Sequence, residues 1–236
     1  MNAEFIGYPV SNLSKEEIIS ELSALAEEKG VHLVTVMNAN KMYLYDKYEL
    51  CRKSVNESAI ILPENAINIG MKWLNKPLKE WDLGGVEIAK EILLNTNLKV
   101  FLLGAKKDVL EIILGQKKAN KIIVGTHDGY FSDDMIPAIS RQINDSGADV
   151  VLLGLGSPKQ EVLMQKLKML LSKGILIGVG GTFDVLAGNK KDAPKWTKRG
   201  FEWIYRAFQD PKKIRRYIIV NSYFINKFVK YKIHHL

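Results

Sequence analysis

Six short aliphatic runs recur along the chain, and few folds accommodate them: VHLVTV (31–36), SAIILP (58–63), LKVFLLG (98–104), NKIIVGT (120–126), ADVVLLG (148–154) and GILIGVG (174–180). None alternates strictly between apolar and polar residues. Each therefore reads as a strand covered on both faces, the condition of a parallel sheet lying under helices. Helical patterns fill the gaps. SKEEIISELSALAEEKG opens with Ser14 and Glu17 in capping-box spacing and closes at Gly30, and GGVEIAKEILLNT, KKDVLEIILGQKK and DDMIPAISRQINDSG follow later. The alternation predicts an α/β fold, a doubly wound Rossmann-like parallel sheet.

Ligands of such sheets collect in the loops that leave the carboxyl ends of the strands, and three of those loops are rich in glycine. In LLGLGSPKQE (152–161), Ser157 reads as the N-cap of a helix, with Pro158 in its first position and Gln160 completing a capping box. Gly154 and Gly156 let the backbone approach a ligand, and the helix start offers unpaired N–H groups to an anion. GVGGTFDVLAG (178–188) sets Gly178, Gly180 and Gly181 ahead of Asp184, and GTHDGYF (125–131) carries Tyr130. One such loop reads equally well as a plain strand–helix turn. Three at one sheet end point to a phosphate or nucleotide site, although the strict Gly-x-Gly-x-x-Gly spacing of dinucleotide binders is absent.

The charge is lopsided. Residues 195–236 hold eleven Lys/Arg against Glu202 and Asp210, a local balance of +9 within a formal total of +8, so the first 194 residues are close to neutral. Ten of the 21 aromatic residues lie in the same tail. A core of 1–194 followed by a basic, aromatic-rich helical appendage of 195–236 is expected, the appendage meeting an anionic partner. YIIVNSYFINKFVKYKIHHL (217–236) sets Ile218, Ile219, Phe224, Ile225 and Phe228 among lysines, which reads as an interfacial helix on an anionic membrane surface. The competing reading is a helix docked on its own core. Nucleic acid is not expected as a partner, because no nucleic-acid motif accompanies the tail.

No apolar run reaches the roughly 18 residues of a membrane span, and Glu4 interrupts any signal-peptide pattern. Cys51 stands alone, which rules out an internal disulfide and fits a reducing cytosol. The expected location is cytoplasmic, peripheral on the inner face of the cell membrane.

Taken together, LLGLGSPKQE, GVGGTFDVLAG, GTHDGYF and APKWTKRGFEWIYRAFQDPKKIRRY (193–217) resemble the WecG/TagA/CpsF family, glycosyltransferase family 26, over about residues 30–217. The resemblance implies a bacterial, inverting, metal-independent transferase with no cofactor. Such an enzyme moves a sugar, often N-acetylmannosamine, from a UDP-sugar to a polyprenyl-diphosphate-linked sugar in surface-polysaccharide or teichoic-acid assembly. It also leaves room for a homo-oligomer. Gln160 matches the family's Pro-Lys-Gln-Glu glutamine, Tyr130 its Gly-Tyr-Phe tyrosine and Asp184 its Gly-Gly-(Ser/Thr)-Phe-Asp carboxylate, all three implied to hold the nucleotide. The bland readings are a cap for Asp184 and a packed aromatic for Tyr130. Asn38-Ala39 matches the family's Asn-Ala. The tail cations implied to meet the departing diphosphate are Arg206, Lys213 and Arg216, with Lys213 keeping a charge but losing the bidentate fork of arginine.

The acceptor side departs from the family pattern. Glu64 stands where the family has its catalytic aspartate, and Asn65 follows it in place of glycine. Trp81 and Val86 replace an arginine and an aspartate, Val36 replaces a threonine, and Asp192 stands where an arginine usually precedes Ala-Pro. Inverting transfer needs a base at hydrogen-bond distance from the acceptor hydroxyl, so Glu64 is the expected catalytic residue. These departures keep two further readings open. One is a non-catalytic homologue that binds nucleotide-sugar or lipid as a partner subunit of an assembly complex, and the other an unrelated Rossmann-like enzyme.

Overall fold

The computed structural model describes residues 2–64, 66–80, 83–116, 121–190, 205 and 214–235. The chain starts with a hairpin that sequence patterning did not announce. Its strands β1 (Asn2–Phe5) and β2 (Tyr8–Ser11) are joined by Ile6 and Gly7, both at positive φ, as a two-residue turn requires. The six aliphatic runs then become β3 (Gly30–Met37), β4 (Ser58–Pro63), β5 (Val100–Gly104), β6 (Ile123–His127), β7 (Val150–Gly154) and β8 (Lys173–Gly178). They pair in the order β4-β3-β8-β7-β5-β6, every neighbour parallel.

Both faces are covered, as the lack of alternation requires. Val150 and Leu152 point into a cluster with Ile18 and Leu22 of α1 (Lys15–Glu27), and with Ile88 and Ile92 of α5 (Gly85–Asn95). Val151 and Leu153 point the other way, onto Ile139 and Ile143 of α7 (Ile136–Ser146) and Leu163 and Leu167 of α8 (Lys159–Lys168). α6 (Lys107–Leu114) completes the first layer. The Ser14/Glu17 capping box at the start of α1 is present in both directions. α7 begins later than its sequence pattern, at Ile136 after a short 3₁₀ turn over Asp133–Met135.

Three helices that the sequence patterns left undrawn sit between β3 and α5: α2 (Ala39–Lys47), α3 (Glu49–Asn56) and α4 (Ala66–Trp73). With the hairpin they build a third apolar cluster of Phe5, Tyr8, Met37, Met42, Ile67 and Met71. The hairpin also shields the edge strand, since the Ile61 N–H donates to Ser11 Oγ at 3.0 Å. A five-residue helix, α9 (Thr182–Leu186), follows β8.

The tail helix α10 (Ile214–His235) closes this third cluster with Phe228, which is buried. Phe5 stacks on Phe224 and Phe228 at centroid distances of 5.8 and 6.2 Å. Two of the residues expected on the interfacial face, Phe224 and Phe228, turn inward instead, because Phe5 offers them an apolar partner within the same chain. Ile218, Ile219 and Ile225 remain exposed. Polar contacts fix the docking. Asp46 of α2 accepts from the Tyr8 hydroxyl at 2.6 Å, from Lys227 Nζ at 2.8 Å and from the Tyr223 hydroxyl. Burial alone would raise the Asp46 carboxyl, but Lys227 and the two phenols hold it below its ordinary range, while burial and Asp46 push Tyr8 upward. The boundary expected at 194/195 lies outside the described residues.

Candidate functional site

All six parallel strands end on one side, and a crevice of about 940 Å³ opens there, near the upper end of the range usual for small-molecule sites. Sequence reading anticipated much of its wall. Asn38, Glu64, Tyr130, Gly156, Gln160 and Gly181 line it, joined by Asp184 and Arg216. Asn38, Glu64, Tyr130, Gly156 and Gly181 lie just past strand ends, where a parallel sheet delivers its loops, and Gln160 stands in the first turn of α8. Arg206 and Lys213, the other expected cations, lie outside the described residues, as does Trp81.

Glu64 follows β4 directly, and its N–H donates to Met37 O at 2.9 Å. Asn38, the N-cap of α2, accepts from the Lys41 N–H at 2.9 Å through Oδ1 and donates from Nδ2 to Glu64 Oε2 at 2.8 Å. One side chain thus both starts a helix and aims a carboxylate. The other carboxylate oxygen lies against the start of α5: a Cβ built on Gly84 would come within 2.3 Å of Glu64 Oε1. Glycine at 84 is therefore what lets the longer glutamate lie there.

Asp184 reaches the crevice from α9 and forms an ion pair with Lys190 at 2.7 Å, so a ligand hydroxyl approaching Asp184 meets a carboxylate already shared with a cation. Tyr130 stands at the rim, 72% exposed, its N–H held by Asp128 Oδ1 at 2.8 Å; it is not a packed aromatic. Arg216 and Tyr217 bring the first turn of α10 to the crevice, the guanidinium 5.6 Å from the tyrosine ring centre.

The expected capping box at α8 does not form. The helix starts at Lys159 with Pro158 in the cap position and no side-chain cap bond. Ser157 Oγ donates instead to Glu161 Oε1 at 2.8 Å, and Gln160 is buried with its oxygen accepting from the Gly180 N–H at 3.0 Å. The serine oxygen also accepts from Lys41 Nζ at 3.1 Å and from Gln160 Nε2 at 3.3 Å, so the lone pairs a cap would use are taken by the buried cluster. Glu161 also accepts from buried Lys41 and from Gln160 Nε2 at 2.8 Å.

Sequence reasoning missed Lys41, Glu161, Gly84 and Lys190. For Lys190 a signal existed, a cation six residues beyond Asp184; the Lys41–Glu161 pair spans 120 residues and left none. Among the described residues, no three His, Cys, Asp or Glu side chains gather closely enough to hold a metal ion, and no helix is long and apolar enough to cross a membrane.

Residues 3–236 match the family model described as "Glycosyl transferase WecG/TagA/CpsF family".

Proposed function

The chain belongs to the WecG/TagA/CpsF glycosyl transferase family, and from that membership and the crevice geometry we propose an inverting transfer of a hexose from a UDP-sugar to a polyprenyl-diphosphate-linked sugar. The observation that carries this reading is the Glu64 carboxylate, aimed by Asn38 at 2.8 Å into the crevice that Tyr130, Asp184 and Arg216 also line. In the step, the acceptor hydroxyl gives its proton to Glu64 and its oxygen bonds to the anomeric carbon. The bond from that carbon to the diphosphate breaks on the opposite face, and its electron pair leaves with UDP. A single displacement of this kind inverts the anomeric centre.

The other side chains take roles that their chemistry suits. Tyr130 offers an exposed ring for the base, and Asp184 accepts from ribose hydroxyls. Arg216 meets the charge that grows on the departing diphosphate. No metal or cofactor enters this scheme.

The acceptor's lipid stays in the bilayer, and α10 supplies a surface for it. Ile214, Ile218, Ile225, Val229 and Ile233 are exposed, and their spacing of four and seven residues puts them on one stripe beside Arg215, Lys230 and Lys232. Such a stripe suits peripheral binding to an anionic inner leaflet.

The test is UDP release and sugar transfer from a panel of UDP-sugars, with a short-chain polyprenyl-diphosphate sugar acceptor. Turnover with one donor and inversion at its anomeric carbon is the expected outcome. UDP binding without turnover on any donor would transfer the case to a non-catalytic partner subunit.

Gly84→Ala gives a narrower prediction. The backbone at Gly84 suits any residue, and the clash falls on the far end of the Glu64 side chain. Stability should change little, while the displaced carboxylate lowers kcat by about 10²-fold, the scale of a 1 Å misplacement. Thermal melting and steady-state kinetics on the same sample check both halves.

A further inference from the structure

Both ends of the Gln160 amide are occupied by the protein. The nitrogen donates to Glu161 Oε1 at 2.8 Å and to Ser157 Oγ at 3.3 Å, and the oxygen accepts from the Gly180 N–H at 3.0 Å. Room for this comes from Gly178, where a Cβ would lie 2.7 Å from the amide nitrogen. A glutamine amide can turn end for end, exchanging which atom faces which partner. A carboxylate has no proton to give. Beside an ionised Glu161 the nitrogen must face the carboxylate, which leaves the oxygen for Gly180. Lys41 supplies the charge that keeps Glu161 ionised in a site where both side chains are buried. Burial alone would raise the Glu161 carboxyl; the Lys41 charge and the bonds from Gln160 and Ser157 hold it below the ordinary carboxylate range.

We infer that the Lys41–Glu161 ion pair is a positioning device for the glycine loop. It sets the direction of the Gln160 amide, and through that amide it holds the Gly180 N–H, in a left-handed conformation at φ 60°, in the wall of the crevice. Lys41, Glu161 and Gln160 are thus positioning residues, and the ligand meets the loop that they hold. This rests on the reading above only in taking UDP as the loop's ligand.

The experiment measures amide hydrogen exchange at Gly180 by NMR and UDP affinity by calorimetry, in the wild type and in a Lys41→Met/Glu161→Met variant. Buried ion pairs replaced by apolar side chains of similar volume are often neutral for stability, so the fold is expected to persist. Gly180 exchange should rise about tenfold, the scale of one lost hydrogen bond, with amides at the start of β8 unchanged, and UDP affinity should fall by about the same factor. Unchanged exchange at Gly180 would overturn the inference, as would a loosened loop with UDP affinity intact. Gln160→Met leaves the ion pair in place and should reproduce the Gly180 change; normal protection there overturns the inference even if the double variant does not fold. A wild type that fails to bind UDP counts against the proposed function alone, since Gly180 exchange still decides the role of the ion pair.

Discussion

Glu64→Gln is expected to lower sugar transfer by about 10²–10⁴-fold, the usual contribution of a positioned general base, while leaving UDP affinity and melting temperature near wild type. Glutamine matches glutamate in length and still accepts a hydrogen bond through its amide oxygen, so the Asn38 contact of 2.8 Å can survive the change. What is lost is the capacity to take a proton from the acceptor hydroxyl. The substitution thus separates chemistry from positioning. A variant that retained near-normal turnover would remove Glu64 from the reaction and leave the acceptor side of the crevice without its base. The position matters because glutamate stands where the family resemblance implies aspartate. An extra methylene moves the carboxylate outward, and the fold accommodates it at Gly84, the residue whose missing side chain leaves space for Oε1.

Removal of residues 214–236 is expected to abolish transfer and to destabilise the core at the same time. Phe5 is fully buried, and two of its stacking partners, Phe224 and Phe228, leave with α10. Truncating one buried phenylalanine typically costs about 3–5 kcal/mol, and this deletion strips a face that holds Phe228 and buried Val220. It also takes Lys227 and Tyr223 from Asp46. Arg216 and Tyr217 vanish from the crevice wall, and with them the charge proposed to meet the diphosphate. Melting and UDP binding measured beside turnover tell the two losses apart. A truncated protein that melts lower, binds UDP and does not transfer matches the proposal; one that transfers at the full rate sinks the role of the helix.

The docking of α10 also carries a pH signature. Asp46 has its carboxyl held down in the folded chain, so the stability it adds is present above the ordinary carboxylate range and fades as pH falls through the depressed value. Acid therefore loosens the tail from the side of α2, where Asp46 joins the hairpin to α10 through Tyr8 and Tyr223.

What the sequence by itself determined is the part of this protein that local pattern encodes. A parallel sheet needs both faces of each strand apolar, and VVLLG or GILIG can hardly be read otherwise. Strand direction then sends every following loop to one edge, which is why the glycine loops holding Gly156 and Gly181 could be gathered at one crevice from their places after the runs, while Asn38, Glu64 and Tyr130 were singled out by the family resemblance. The concentration of charge in the tail was equally plain, since it needs only counting. Tertiary structure alone decided the rest. Lys41 and Glu161 meet across 120 residues, and neither periodicity nor capping rules reach past a few turns of chain. For the same reason the inward turn of Ser157 and Gln160 was hidden, because a capping box is local and the buried carboxylate that displaced it is not. Whether Phe224 and Phe228 faced a membrane or their own core could not be read from their spacing, since lipid and the ring of Phe5 are apolar alike. The hairpin settled it by placing that ring within stacking distance.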